Sequence, residues 1–191
     1  GVHTMMEDEH TLTGIVKEKY PNLPYFLYGH SMGSFIARDY IATYGGELSG
    51  VTLCGTSGVF PGLQEGMAML QGWVDAGKGD EADPNAANAL LGWMFERCPE
   101  DIKYGNEWIC SDPAVQYDHA MDPFDAFSKP TRNRSFLYFC QMIDIITGPQ
   151  WAEKVPTTLP IYNIAGAEDP VGQYGKGVKQ VSSWLEDSGH K

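Results

Sequence analysis

The sequence contains no apolar run near 18 residues, which excludes a helix that spans a bilayer. Nor does it open on a basic stretch followed by an apolar one, so no secretory signal is visible. Basic residues are scarce: 13 Lys and Arg stand against 25 Asp and Glu, a net charge of −12. That deficit argues against nucleic acid as a partner, because phosphates demand clustered cations. It also argues against docking on anionic lipid. A lipid substrate stays open, since one acyl chain can enter a neutral apolar pocket, and the acidity itself reads as solubility.

Cysteines number four (Cys54, Cys98, Cys110, Cys140) and none forms a CxxC pair. The five histidines show no ligand spacing against Cys, Asp or Glu, so no metal is expected. A Cys98–Cys110 bridge is conceivable but unforced, and reduced thiols in the cytoplasm are the expectation. No phosphate-binding loop is present. Gly172-x-x-Gly175-x-Gly177 lacks the spacing of a dinucleotide fingerprint and reads as loop chemistry, so no cofactor is expected. The chain starts at Gly1 inside amphipathic material, which suggests that an N-terminal part is missing.

What is present is an alternation of helices and strands. Thr4-x-x-Glu7 reads as a capping box, with Met5, Leu12, Ile15 and Val16 at helical spacing behind it. Tyr25–Tyr28 reads as a short strand buried on both faces, a helix runs from Phe35 to about Tyr44, and Val51–Cys54 is a second buried strand. This order predicts an α/β fold with a parallel sheet and helices on both faces. From 59 to 156 the pattern breaks into helical stretches (62–76, 85–97, 134–146) without a convincing strand. Four of the five tryptophans fall there. We expect core at 1–58, a helical cap insertion at 59–156, and core again at 157–191. In that last part Leu159–Ala165 forms a strand, and Val178, Val181, Trp184 and Leu185 mark a helix ended by Ser188-Gly189.

Gly29-His30-Ser31-Met32-Gly33 fits G-x-S-x-G, a pentapeptide that chance alone would supply about 0.1 times here. Its position between a buried strand and a helix is the setting of a nucleophile elbow. There a sharp turn lifts Ser31 above the sheet, and flanking glycines Gly29 and Gly33 are expected to avoid collisions with helix and strand. The Met32 N–H is expected to be one oxyanion donor. Asp169, after the serine in chain order and just past the third strand, is the candidate acid. Glu168 is its runner-up, and a loop-capping aspartate before proline is the plainer alternative. Of the histidines only His190 follows Asp169, and it reads as a connecting-loop residue. His30, His119, His3 and His10 have no claim.

The run Tyr25–Ser34 resembles the elbow of the monoacylglycerol lipase and lysophospholipase group of α/β-hydrolases, grouped with the serine aminopeptidases. Ile164–Gly172 resembles that group's acid loop. Trp108-Ile109-Cys110-Ser111-Asp112-Pro113, followed by Asp122-Pro123, resembles its cap. The resemblance implies an α/β-hydrolase fold with a catalytic histidine beyond Lys191 and a second oxyanion donor upstream of Gly1. The chain as given is then expected to be incomplete at both ends and inactive by itself, since a serine without a base is a poor nucleophile. For the intact protein the implied activity is cleavage of a small-molecule acyl ester, a monoglyceride or lysophospholipid, through an acyl-enzyme at Ser31. Other readings are a peptidase or general carboxylesterase of the same fold, or a non-catalytic binding protein that retains it.

Overall fold

A computed structural model describes residues 1–125 and 131–191; residues 126–130, inside the expected insertion, lie outside the described residues. Elements follow in the order α1 (Thr4–Lys19), β1 (Phe26–His30), α2 (Met32–Tyr44), β2 (Gly50–Cys54), α3 (Leu63–Trp73), α4 (Pro84–Leu91), α5 (Pro113–Met121), α6 (Asn133–Ile145), α7 (Pro149–Ala152), β3 (Ile161–Ile164) and α8 (Lys176–Asp187). They form two compact units, Gly1–Phe60 with Tyr138–Lys191, and Pro61–Leu137.

The first unit is built on a three-stranded parallel sheet in the order β1-β2-β3. Register aligns Gly29 with Leu53, and Leu53 with Asn163. These positions share one sheet face, because strand side chains alternate. α2 packs there, bringing Ala37 against Gly29. α8 packs on the same face, where Asn163 Nδ2 donates to Val178 O and Ser182 Oγ, both at 3.2 Å. The opposite face carries Phe26, Tyr28 and Tyr162, which are 65%, 64% and 62% exposed. In this span of the chain residues 26 and 28 are open on that face, where burial on both faces is expected, and β2, between β1 and β3, is the buried strand.

α1 also departs from its sequence pattern. His3, not Thr4, precedes the helix, and no side chain caps it. The stripe of Met5, Leu12 and Ile15 is exposed, and Met6 and Thr13 are the residues buried. Polar contacts decide that orientation. His3 Nδ1 lies 2.8 Å from Asp39 Oδ2, the Tyr44 hydroxyl donates to Glu7, and the His10 ring stacks on Tyr44 at 3.6 Å.

α2 is buried almost all round, through Ser34, Phe35, Ala37, Arg38, Tyr40 and Ile41. Arg38 is 1% exposed. Its guanidinium donates to the carbonyls of Ser57 and Ile146 and lies 4.4 Å over the Trp151 ring. Burial pushes it down to about 9, still above neutrality, so it stays charged at pH 7.

The Pro61–Leu137 unit is helical, with no strand among its described residues. α3 and α4 cross closely at Gly66, where a Cβ would sit 1.9 Å from Leu90 Cδ2. α4 and α5 start alike: Asp83 and Asp112 each accept the amide two residues on at 2.8 Å, an N-cap that answers one orphan helix donor. All four cysteines are free. Among the described residues no helix is long and apolar enough to cross a membrane.

Candidate active site

Ser31 stands between the last residue of β1 and the first of α2, at φ 53° and ψ −123°. A residue with a Cβ is disfavoured at such angles and persists there only when its surroundings over-determine it. They do so here. The Ser31 amide donates to Cys54 O at 2.9 Å, and the Ser31 carbonyl accepts from both the amide and the hydroxyl of Ser34, at 2.8 and 2.6 Å. The turn needs Gly29, where an added Cβ would lie 2.4 Å from Gly33 O and 2.9 Å from Ala37 Cβ. Gly33 is different: a Cβ there meets nothing within 4 Å, so the expected collision does not exist at that position. Gly29 alone permits the crossing. Met32 is the first residue of α2, so its N–H has no acceptor within the helix.

Asp169 follows β3 in a loop that closes on itself. Its Oδ1 accepts from the Val171 amide at 2.9 Å, and its backbone carbonyl from the Tyr174 amide at 2.9 Å. The other Asp-Pro dipeptides make the same turn, at Asp83, Asp112 and Asp122. The turn occupies one oxygen of this carboxylate and leaves the other outside it. Oδ1 holds the turn. Oδ2 faces Gly55, where an added Cβ would lie 3.3 Å from it and 4.0 Å from both Ser31 N and His30 Cδ2. Burial raises the Asp169 carboxyl above its ordinary range, opposed by the Val171 and Gly172 amides and by the His30 imidazole.

Three features here escape sequence reading. Gly55, at φ 64°, leaves open the space on which the serine backbone, the His30 ring and the Asp169 carboxylate converge. A lone glycine after a strand is its only sequence signal. His30, read as without a role, places its ring Cδ2 4.0 Å from where a Gly55 Cβ would lie. The Gly172 and Gly177 positions, read as loop chemistry, let two backbones touch: a Cβ on Gly177 would lie 2.6 Å from Gly58 N, and one on Gly172 would lie 3.2 Å from Thr56 O.

The remaining histidines are engaged elsewhere. His190 follows Gly189 at the end of α8, and its ring nitrogens lie 3.1 Å from Leu185 O and 3.0 Å from Pro156 O. His119 Nε2 pairs with Asp125 at 2.6 Å inside the helical unit. Among the described residues no group of three or more His, Cys, Asp or Glu is arranged to hold a metal.

A family model described as serine aminopeptidase, S33, matches residues 1–186. The thermostable carboxyl esterase of Bacillus coagulans, solved in complex with glycerol, is 56% identical and aligns at a TM-score of 0.95. That alignment covers 100% of this chain and 61% of the esterase. A lipase in its open form aligns at 0.85 with 29% identity, over 98% of this chain and 60% of its own. The monoacylglycerol lipase of Mycolicibacterium smegmatis is 46% identical over 50 residues, 26% of this chain and 18% of that lipase. The chain thus spans about three fifths of the solved relatives it matches.

Proposed function

This chain belongs to the serine aminopeptidase S33 family and has the α/β-hydrolase fold, and from that premise we propose that the protein is a serine hydrolase of carboxylic esters. The observation that carries the proposal is the convergence at Gly55 of the strained Ser31 backbone and Asp169 Oδ2. Backbone strain held in place by hydrogen bonds is characteristic of functional positions. A serine and a carboxylate brought together from the ends of different strands suit acyl transfer.

In this mechanism a histidine oriented by Asp169 Oδ2 removes the Ser31 hydroxyl proton, and Ser31 Oγ attacks the ester carbonyl. The Met32 N–H, at the positive end of α2, donates to the oxyanion as the tetrahedral intermediate forms. The alcohol leaves with the proton, and water then releases the acid from the acyl-enzyme. Gly29 makes the turn possible; Gly33 is the second residue of α2.

The substrate class we infer is a monoglyceride or lysophospholipid. Support comes from the Mycolicibacterium relative, a monoacylglycerol lipase, and from the glycerol in complex with the Bacillus esterase. The reading of the helical insertion at 59–156 as a cap belongs to the same proposal. Four unbridged cysteines favour a reducing compartment, in keeping with the cytoplasm.

The test is hydrolysis of monoglycerides, lysophospholipids, short esters and aminoacyl amides by the whole protein, beside its Ser31→Ala variant. We expect ester turnover that falls at least about 10³-fold in the variant. Turnover unaffected by Ser31→Ala overturns the mechanism, and turnover of amides alone moves the substrate class to peptides.

A further inference from the structure

The segment that leaves β2 is held at both peptide groups of one residue, to the Asp169 loop on one side and to α8 on the other. Gln173 Nε2 donates to Val59 O at 2.5 Å, and Val59 N–H donates to Gln180 Oε1 at 2.9 Å. Val59 is 50% exposed, so these hydrogen bonds and not burial of its side chain set its place.

The backbone around Gln173 is arranged at the expense of local preference. Gln173 at φ 51° and Tyr174 at φ 57° are consecutive left-handed residues with a Cβ, followed by Gly175 at φ 88°. Single excursions of this kind are uncommon outside glycine, and two in succession need outside support. The turn they make returns the Gln173 amide to Pro170 O at 2.8 Å and the Tyr174 amide to Asp169 O at 2.9 Å. It also aims the Gln173 side chain back at Val59.

Behind the clamp the two segments touch backbone to backbone. A Cβ on Gly58 would lie 2.9 Å from Gly177 Cα and 3.0 Å from Gly177 O, and also 2.3 Å from the Gln180 side-chain Oε1. The same segment is anchored at its other end on the elbow, because the residue before Gly55 is Cys54, whose carbonyl holds the Ser31 amide. One short stretch, 54–59, therefore binds Ser31 at its start and the Asp169 loop at its end.

We propose that Gln173 is a positioning residue that fixes Asp169 relative to Ser31 by clamping Val59, with Gln180 as the second jaw. The inference rests on the reading of Ser31 and Asp169 as nucleophile and acid. Gln173 touches no reacting atom. It holds a strained loop in the one arrangement that presents Asp169 Oδ2 towards Gly55.

The experiment is a double-mutant cycle on the whole protein with a hydrolysed ester: wild type, Gln173→Leu, Asp169→Asn and the pair, each with its melting temperature. Gln173→Leu removes the donor; Gln173→Glu, of the same size, sets a carboxylate against the Val59 carbonyl and serves if the leucine variant does not fold. We expect kcat to fall about 10- to 100-fold with KM unchanged, the loss that follows a misplaced catalytic group. In the Asp169→Asn background the same substitution is expected to cost almost nothing, because its effect passes through the carboxylate. Equal losses in both backgrounds, or no loss at all in a folded variant, overturn the proposal and leave Gln173 a purely structural residue. Ser31→Ala separates the two failures: if it leaves turnover intact, the nucleophile reading falls and this inference falls with it.

Discussion

The Ser31 amide donates to the carbonyl oxygen of Cys54 at 2.9 Å, so the end of β2 holds the turn that follows β1. Strand pairing thereby continues one step past His30, into a residue whose own backbone angles resist it. The strain at Ser31 is sustained by the neighbouring strand and by Ser34.

Relief of that strain is measurable. Ser31→Gly is expected to stabilise the protein by about 1 kcal/mol net, the strain of a residue with a Cβ less the greater chain entropy of glycine. A thermal melt of a chain this long should rise by roughly 3 °C. An unchanged or lower midpoint would show that Ser31 is not strained.

The two elbow glycines are expected to respond unequally. Gly29→Ala places a methyl 2.4 Å from Gly33 O, a backbone atom that cannot move aside, and should destabilise by about 3 kcal/mol. Gly33→Ala meets open space in a helix and should be neutral or slightly stabilising, by up to about 1 kcal/mol. Denaturant titration of both variants checks the contrast; equal effects would contradict the geometry.

Asp169 ties stability to pH. Burial raises its carboxyl above the ordinary 3.8, so the folded protein holds this proton more tightly than the unfolded chain does. Above the folded-state pKa the burden of a half-buried carboxylate is fully present. As pH falls through that value towards the unfolded one, the burden is lifted. Asp169→Asn keeps an acceptor for the Val171 amide and carries no charge. Its melting temperature should exceed wild type at pH 7, with the gap closing as pH is lowered through this window. A gap that stays constant from pH 7 to 3 would contradict the burial effect.

Arg38 should be costly to remove. Arg38→Leu takes away a buried cation but leaves the Ser57 and Ile146 carbonyls without that donor, and it loses the stacking on Trp151. The unmet carbonyls dominate, and we expect a loss of about 3 kcal/mol by chemical denaturation. A neutral result would show that the guanidinium contributes no more than its volume.

The local part of this protein was legible from the chain alone. Gly29–Gly33 announces its turn within five residues, because the strand before it and the helix after it are continuous in sequence. β2, β3, α3, α4, α6 and α8 lie close to where their periodicity puts them, for the same reason. The place of Asp169 just past β3 was legible too, because the strand before it is continuous in sequence. What the chain alone did not disclose depends on partners far away along it. Gln173 and Val59 are 114 residues apart, and Arg38 and Ile146 are 108 apart. The open space at Gly55, the crossing of Gly58 with Gly177, the harmless position of Gly33 and the outward turn of Leu12 and Ile15 also belong to this class. Hydrogen bonding along a helix or into a turn acts between near neighbours, so the sequence carries it directly. Whether a Cβ collides, a carboxylate loses water or an apolar stripe finds a cover depends on which distant segment arrives beside it, and tertiary packing alone decides that.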